Sequence, residues 1–275
     1  MVYSLTQFQA AIVDLDGTMI DTLGDFEVAL NRALADLDLP PVTRALVERT
    51  VGKGSEHLIR SVLAHQLALP EVKGSANTCD ARSVENLYEA AWQRYQHHYL
   101  AINGEFAAVY PGVVEGLQQL RDAGLQLACL TNKPWAFAKP LLAAKGLDHF
   151  FTHVFGGDSF ERKKPDPLPL LKTCEALDVS PAQTLMVGDS SNDAQAARAA
   201  GCPVVLVRYG YNHGEPVDGV DADAHVDTLI DISQALAGKA WGFAKLQVMF
   251  IHRSTVTGCH DRGAWPWRTP SSALV

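Results

Sequence analysis

The chain has 275 residues, 47% of them hydrophobic and 20% charged, so it is long enough to bury a substantial core. Its formal net charge of −8 argues against a nucleic-acid partner, because phosphate backbones are held by clustered Lys and Arg, and favours a small ligand. The first residues show no signal-peptide pattern and no apolar run approaches the roughly 20 residues that span a bilayer, so we expect a soluble protein with no membrane partner.

Short runs rich in Val, Ile and Leu recur along the chain, with helix-like segments between them. This alternation is typical of buried parallel strands joined by crossover helices. Three of the helix-like segments end at a glycine, as helix C-termini often do: Gly124, Gly146 and Gly201. The predicted strands cover residues 10–15, 125–130, 153–155, 184–187 and 204–207. The pattern predicts an α/β fold with a doubly wound, Rossmann-like parallel sheet.

The segment between the first two predicted strands is too long for one crossover connection. It contains three stretches with apolar residues at three- and four-residue spacing, which predicts amphipathic helices at 25–39, 55–69 and 83–100. Pro and Gly in "YPGV" then restart the main fold. We therefore predict an α-helical cap domain, residues 22–109, inserted into a core domain made of residues 1–21 and 110–240.

The last 35 residues differ from the rest. "HVDTLIDISQALAG" reads as a closing strand and helix, but residues 241–275 have no sustained period and are a mixture of Pro, Ser and Trp. The pattern predicts a disordered or loosely packed extension. The alternative is a partner-binding tail built around Trp265 and Trp267.

The five cysteines are scattered, odd in number and never spaced as CxxC. Neither a disulfide framework nor a zinc site is therefore indicated. Free cysteines fit a reducing compartment best, so we expect a cytoplasmic protein. The oligomeric state cannot be read from the pattern.

Polar clusters follow the predicted strands at the ends where each strand finishes. Asp14 and Asp16 come after the first strand, and "RKKPDP" at 162–167 adds basic residues. Further polar residues follow the second and fourth strands: Thr131, Asn132, Asp189 and Asp193. Because ligands of open parallel sheets bind outside the carboxyl ends of the strands, these clusters predict one shared site.

Asp14 and Asp16 lie two residues apart, so both side chains can address one ligand if the strand continues. Two carboxylates so close repel each other unless a cation or a shared proton lies between them. Asp189 from a neighbouring strand completes an all-oxygen pocket suited to Mg²⁺. The sequence therefore indicates a magnesium site.

A positively charged site makes a phosphoryl group the natural substrate. Its oxygens can be shared by the metal, the Thr131 hydroxyl, the Lys164 ammonium and backbone N–H groups around residues 15–18. We expect three further residues to take part in substrate binding: Gly17, Thr18 and Asn132. Structural alternatives stay open, because Thr131 and Asn132 could cap the next helix and Asp193 could be a first-turn acid.

Four segments in this order, "DLDGT", "LTN", "KKPDP" and "GDSSND", resemble the motifs of the haloacid dehalogenase superfamily of phosphatases. The resemblance covers residues 8 to about 235 and includes the inserted cap. It implies attack by Asp14 on phosphorus to give an aspartyl phosphate, with Asp16 as the general acid and base. Thr131 and Lys164 would bind the transferring group, Lys164 being preferred to Lys163 because it adjoins Pro165.

The same resemblance implies the metal ligands. Mg²⁺ would be held by Asp14, the backbone carbonyl of Asp16 and Asp189, with Asp193 supporting the ion from further out.

Within the superfamily, "TMIDT", "VGKGSEHLI", "PGV" and "RYGYNHGEPVDGVDADAHVDTL" resemble the phosphoglycolate phosphatase family. This closer resemblance implies a small phosphorylated metabolite as substrate, with conversion of 2-phosphoglycolate to glycolate and phosphate. It brings the "VGKG" segment to the site and makes Lys53 the candidate contact for the substrate carboxylate.

Three alternatives remain open. The enzyme could hydrolyse another small phosphate ester, or it could be a sugar phosphomutase of the same superfamily that returns the phosphoryl group to a sugar. A non-enzymatic binding protein with this fold is the third, and the presence of all the motif residues argues against it.

Overall fold

A computed structural model describes residues 5–73 and 83–236. These residues belong to one compact unit. The predicted C-terminal extension, including Trp265 and Trp267, lies outside the described residues.

Six parallel strands form the central sheet, in the order β5-β4-β1-β6-β7-β8. The strands in the described residues are β1 Ala10–Val13, β2 Ile20–Asp21, β3 Ala108–Val109, β4 Gln126–Leu130, β5 His153–Phe155, β6 Thr184–Gly188, β7 Val204–Val207 and β8 Ala224–Val226. β1 lies in the middle of the sheet, where Ala10 pairs with both Gln126 and Thr184. Its central place explains its unbroken apolar sequence, because both faces and both edges of this strand are covered.

Helices cover both faces of this sheet and form a separate layer after β2. Their bounds are α1 Leu23–Ala35, α2 Arg44–Thr50, α3 Ser55–Ala68, α4 Pro70–Lys73, α5 Val84–Ile102, α6 Val113–Asp122, α7 Trp135–Ala144, α8 Leu168–Leu177, α9 Ser191–Ala200 and α10 Ile232–Leu236. Ala11 and Val13 of β1 belong to the core on one face of the sheet, and Ala10 and Ile12 to the core on the other. The doubly wound α/β fold is thus confirmed.

The helices α1 to α5 enclose a hydrophobic core of their own, which includes Phe26, Val62, Tyr95 and Tyr99. Each predicted cap helix is present, and α2 and α4 are additional short ones. In the described part of the chain, no helix has both the length and the apolar composition needed to cross a membrane.

A two-stranded antiparallel ribbon joins the helical layer to the sheet. Ile20 pairs with Val109 and Asp21 with Ala108, so the two chain crossings run side by side at the boundaries predicted for the cap. The buried carboxylate of Asp25 accepts hydrogen bonds from the N–H groups of Gly104 (2.7 Å) and Phe106 (2.8 Å) just beyond this ribbon. Both layers belong to one compact unit, so the division into two domains stays a prediction.

Candidate active site

A cavity lies at the carboxyl edge of the sheet, under the first residues of α3. Its core-side lining comes from the loops after β1, β4 and β6 and from Lys164 and Tyr211. The other side is lined by Phe26, Val51, Gly52, Gly54, Ser55 and Leu58. The lining includes Asp14, Asp16, Thr131, Asn132, Lys164, Asp189 and Asp193. The structure therefore brings together seven of the ten residues predicted for the site.

Three carboxylates form a cluster at the bottom of this cavity. Asp14, Asp189 and Asp193 are buried, and one oxygen from each lies within 4.8 Å of those of the other two. Burial raises the pKa of Asp14 to about 7, although the Lys164 ammonium opposes this shift. Burial also raises the pKa of Asp189, and the nearby Asp193 and Asp14 carboxylates raise it further. These two carboxyl groups hold their protons to higher pH than free ones do, because negative charge is concentrated where water is excluded.

Lys164 is the buried cation of the cluster. Its Nζ donates to Asp14 Oδ1 and Asp193 Oδ1, both at 2.7 Å, and to the Leu130 carbonyl at 2.8 Å. Burial by itself lowers the pKa of this ammonium, but the two carboxylates outweigh it and the net shift is upward. Lys163 is exposed, so of the two adjacent lysines Lys164 is the one that reaches the cluster.

The donor set fits a hard divalent cation. Three ionised carboxylates and one ammonium carry a formal charge of −3 + 1 = −2, which a divalent ion would neutralise. Carboxylate oxygens are the ligands that Mg²⁺ prefers in proteins. Gly17 packs directly against Asp189, because a Cβ at this position would lie 2.1 Å from Asp189 Oδ2.

Asp16 lines the cavity but its carboxylate is not part of the cluster. Asp16 Oδ1 accepts hydrogen bonds from Thr22 Oγ1 (2.8 Å) and from Lys133 Nζ (3.0 Å). Lys133 is buried, and its ammonium lies 4.3 Å from the ring centroid of Phe26 and 4.6 Å from that of Tyr99. Sequence reasoning did not select Lys133, although its position directly after Thr131 and Asn132 at a strand end was an available signal.

Asp193 is a first-turn acid, which the sequence allowed, and it also pairs with the buried cation, whereas its support of a metal ion stays a prediction. Its Oδ2 accepts from Ser190 Oγ at 2.8 Å and from Ser190 N at 3.2 Å, which closes a capping box at the start of α9. Its Oδ1 pairs with Lys164 at the same time. The helix cap therefore holds the third carboxylate of the cluster in place.

Of the residues predicted to bind substrate, Asn132 lines the cavity, whereas Gly17 and Thr18 do not. The side-chain amide of Asn132 connects two loops, because its Nδ2 donates to the carbonyl of Gly52 at 3.0 Å and to that of Lys164 at 2.8 Å. Gly17 and Thr18 lie behind Asp189 and do not line the cavity, the Thr18 hydroxyl donating to Asp189 Oδ1 at 3.4 Å. Their predicted contacts with substrate stay predictions.

Lys53 is exposed and does not line the cavity. It lies in an adjoining surface groove with Lys163, His57 and Arg162. A direct contact between Lys53 and substrate therefore stays a prediction.

The segment after β7, which carries part of the closer resemblance, also supplies a site residue that sequence reasoning did not select. Tyr211 donates its backbone N–H to Asp189 Oδ2 at 2.5 Å, and its hydroxyl oxygen accepts from the N–H of Thr22 at 3.0 Å. The same hydroxyl donates to Asp21. Tyr211 thus joins a cluster carboxylate to the ribbon below the cap. The available signal was "RYGYNHG", a polar and aromatic stretch after a predicted central strand.

The cavity is small. Its free volume is about 30 Å³, and one water molecule needs about 10–15 Å³ on this scale. Room for about two waters does not admit an organic phosphate ester unless the helical layer moves.

The fold and the site define the class: a doubly wound α/β protein with a buried carboxylate site at the carboxyl edge of its sheet, covered by a helical layer. The family model for haloacid dehalogenase-like hydrolases matches residues 8–201, and the chain belongs to this family.

Curated relatives narrow the reaction class. The chain is 40% identical over 223 residues to phosphoglycolate phosphatase of Thiobacillus denitrificans, covering 81% of this chain and 93% of the relative. It is 43% identical over 220 residues to the plasmid phosphoglycolate phosphatase of Cupriavidus necator, covering 80% and 89%. The reaction class of this chain is hydrolysis of phosphoric monoesters.

Solved structures agree with the fold. A protein described as a predicted phosphoglycolate phosphatase from Haemophilus somnus superposes with a TM-score of 0.76 at 33% identity, covering 83% of this chain and 97% of that one. CbbY from Rhodobacter sphaeroides, solved with phosphate, superposes with a TM-score of 0.65 at 23% identity over 82% and 96%, and this likeness concerns the fold alone.

Proposed function

We propose that this enzyme hydrolyses 2-phosphoglycolate to glycolate and phosphate, with Mg²⁺ as cofactor. The observation that carries the proposal is the buried cluster of Asp14, Asp189 and Asp193 around the Lys164 ammonium. The names of the 36–43% identical relatives support the choice of substrate.

The proposed chemistry begins with a carboxylate nucleophile. Asp14 attacks phosphorus, an Asp14–phosphorus bond forms, and the bond from phosphorus to the glycolate oxygen breaks. Asp16 enters this step as the protonated acid and gives its proton to the leaving alkoxide, which leaves it as the carboxylate that pairs with Lys133. Asp16 then takes a proton from a water that attacks the aspartyl phosphate, which releases phosphate and restores Asp14.

Lys164 and Thr131 are the proposed ligands of the transferring phosphoryl group. The Lys164 ammonium already lies 2.7 Å from Asp14, so it can share its donors with the substrate oxygens and offset their charge. Thr131 is buried beside it, and its hydroxyl lies at the start of the loop after β4.

Asp14, Asp189 and the backbone carbonyl of Asp16 are the proposed ligands of Mg²⁺, with Asp193 further out. The ion would reduce the repulsion between an anionic ester and the carboxylates and would stabilise charge in the transition state. We also propose a reducing, cytoplasmic setting, as the cysteine pattern indicates.

A screen of phosphate esters tests the proposal. The purified enzyme with Mg²⁺ should show its highest kcat/KM for 2-phosphoglycolate among small acid phosphates, sugar phosphates and nucleotides, and it should release free phosphate without a bisphosphate activator. A preference for a hexose phosphate by orders of magnitude would contradict the substrate. Transfer of the phosphoryl group to a sugar instead of water would indicate a phosphomutase.

Lys53→Ala tests the proposed carboxylate contact. If Lys53 meets the substrate carboxylate, KM should rise more for phosphates that carry a carboxylate than for neutral esters of similar size. An equal loss for both kinds of ester would reject this role.

A further inference from the structure

The cap loop, defined as residues 51–54, closes the cavity through the carbonyl of Gly52. This oxygen accepts a hydrogen bond from Asn132 Nδ2 at 3.0 Å and another from Asn192 Nδ2 at 3.2 Å. The two asparagines belong to different core loops, one after β4 and one at the start of α9. A carbonyl oxygen has two lone pairs, and at Gly52 both accept a hydrogen bond from the core.

His213 supports Asn192 from behind. Its Nε2 lies 3.3 Å from Asn192 Nδ2, so one amide hydrogen of Asn192 points to Gly52 and the other to this ring nitrogen. Such a contact requires an unprotonated Nε2 that accepts. Burial lowers the pKa of His213, and the charge of Lys53 lowers it further. A hydrogen bond to the Val51 backbone and the Asp193 charge oppose the shift, but the net change in pKa is downward and favours the neutral ring.

The contact leaves no room for a side chain on the loop. A Cβ added to Gly52 would lie 3.0 Å from Cε1 of His213, and Gly52 has a φ of +103°, which disfavours other residues. The loop is thus seated directly against the His213 ring.

We propose that Asn192 and His213 are positioning residues that latch the cap loop over the carboxylate cluster, and that this latch restricts the enzyme to small phosphate esters. The proposal rests on the function proposed above. It follows from the size of the closed cavity, about 30 Å³, which an ester enters only when the Gly52 contacts open. A larger ester prevents the contacts from forming again around it, whereas an ester of two carbons leaves more of the loop free to close.

Four variants test the latch. Asn192→Ala removes the donor, and His213→Ala removes its support. His213→Gln keeps an acceptor for the Asn192 amide and should restore the latch. Asn103→Ala is the matched control, because it removes a similar amide-to-carbonyl hydrogen bond, from Asn103 Nδ2 to Phe137 at 2.9 Å, away from the cap loop.

Two measurements are made on each full-length variant. The first is amide hydrogen exchange of peptides covering residues 51–54, with Mg²⁺ and inorganic phosphate present. The second is the ratio of kcat/KM for 2-phosphoglycolate to kcat/KM for p-nitrophenyl phosphate. In Asn192→Ala and His213→Ala we expect exchange about fivefold faster and a ratio lowered about fivefold, as loss of one hydrogen bond predicts. Asn103→Ala and His213→Gln should resemble the parent enzyme.

The two measurements separate failure of the latch, of its role in substrate size and of the proposed function. Unchanged exchange in both alanine variants would overturn the latch. Faster exchange with an unchanged ratio would overturn its role in excluding large esters. If the parent enzyme failed to hydrolyse 2-phosphoglycolate, the proposed function would fail, while the exchange measurement would still decide whether the latch exists.

Discussion

Single residues determine the chemistry of the site. Asp14 is buried, lies 2.7 Å from Lys164 and has a pKa of about 7 because burial disfavours its charge. These properties suit a nucleophile that loses its proton, and so gains its negative charge, when a cation binds beside it.

Asp14→Asn should lower kcat on 2-phosphoglycolate by about 10³-fold or more, because an amide oxygen is a poor nucleophile. Steady-state release of phosphate measures the loss. Asp178→Asn is the control: Asp178 is exposed, ends α8 in the left-handed conformation that Asn tolerates, and should retain full activity. Full turnover by Asp14→Asn would reject the nucleophile.

Lys133 and Asp16 form a buried ion pair, and a double-mutant cycle measures their coupling. Lys133→Met keeps the apolar contacts with Phe26 and Tyr99 but leaves the Asp16 charge without its cation, so we expect a loss of about 3 kcal/mol in unfolding free energy. Adding Asp16→Asn to Lys133→Met should recover part of that loss. Urea unfolding gives each value, and additive effects of the two substitutions would show that the pair is not coupled.

At the scale of elements, the ribbon of β2 and β3 carries the connection between the helical layer and the sheet. Only two residue pairs join its strands, so its stability depends on side chains around it. Asp25 at the start of α1 is the main one, because it binds the N–H groups of Gly104 and Phe106 at the end of the segment that returns from α5.

Asp25→Ala should lower the free energy of unfolding by about 2 kcal/mol, since a buried and a partly buried N–H group lose their acceptor. Thermal or urea unfolding measures the change. Asp36 ends the same helix in a partly exposed pair with His98, so Asp36→Ala should change stability by less than about 0.5 kcal/mol. Equal losses in the two variants would contradict this account of the ribbon.

At the scale of the whole molecule, the acidic cluster opposes folding unless protons or a cation neutralise it. Burial raises the folded-state pKa of Asp14 to about 7 and also raises that of Asp189, so the folded chain binds more protons than the unfolded chain between about pH 4 and pH 7. An excess of protons in the folded state means that stability falls as pH rises through this window.

The metal-free protein should therefore lose stability as pH rises from about 4 towards 7, and the rise in Tm caused by Mg²⁺ should grow over the same range, because the ion displaces these protons. Melting curves with EDTA or Mg²⁺ at several pH values provide the measurement. In Asp189→Asn the effect of Mg²⁺ should be smaller and less dependent on pH. An increase in Tm by Mg²⁺ that is independent of pH would contradict the proposed metal site.

Much of this protein was determined by local sequence. The apolar run of β1, the alternation of strands and helices and the glycines after α6, α7 and α9 are properties of short segments, and the predicted strands lie where the structure has them. The acids of the site were found because parallel strands end at one edge of a sheet, so residues far apart in the chain lie close together there. Lys164 was selected over Lys163 because the resembling motif has its lysine next to proline.

Only the tertiary structure decided which side chains meet and what each contacts. It paired Asp16 with Lys133 and Asp193 with Lys164, and it kept Lys53 outside the cavity. It also brought Asn132, Asn192 and His213 to the cap loop. No periodicity encodes these contacts, because they join loops separated by tens to more than a hundred residues and depend on how two layers pack. Propensity and pattern act within a segment, whereas the reach of a side chain across a cavity is set by the packing of the whole molecule.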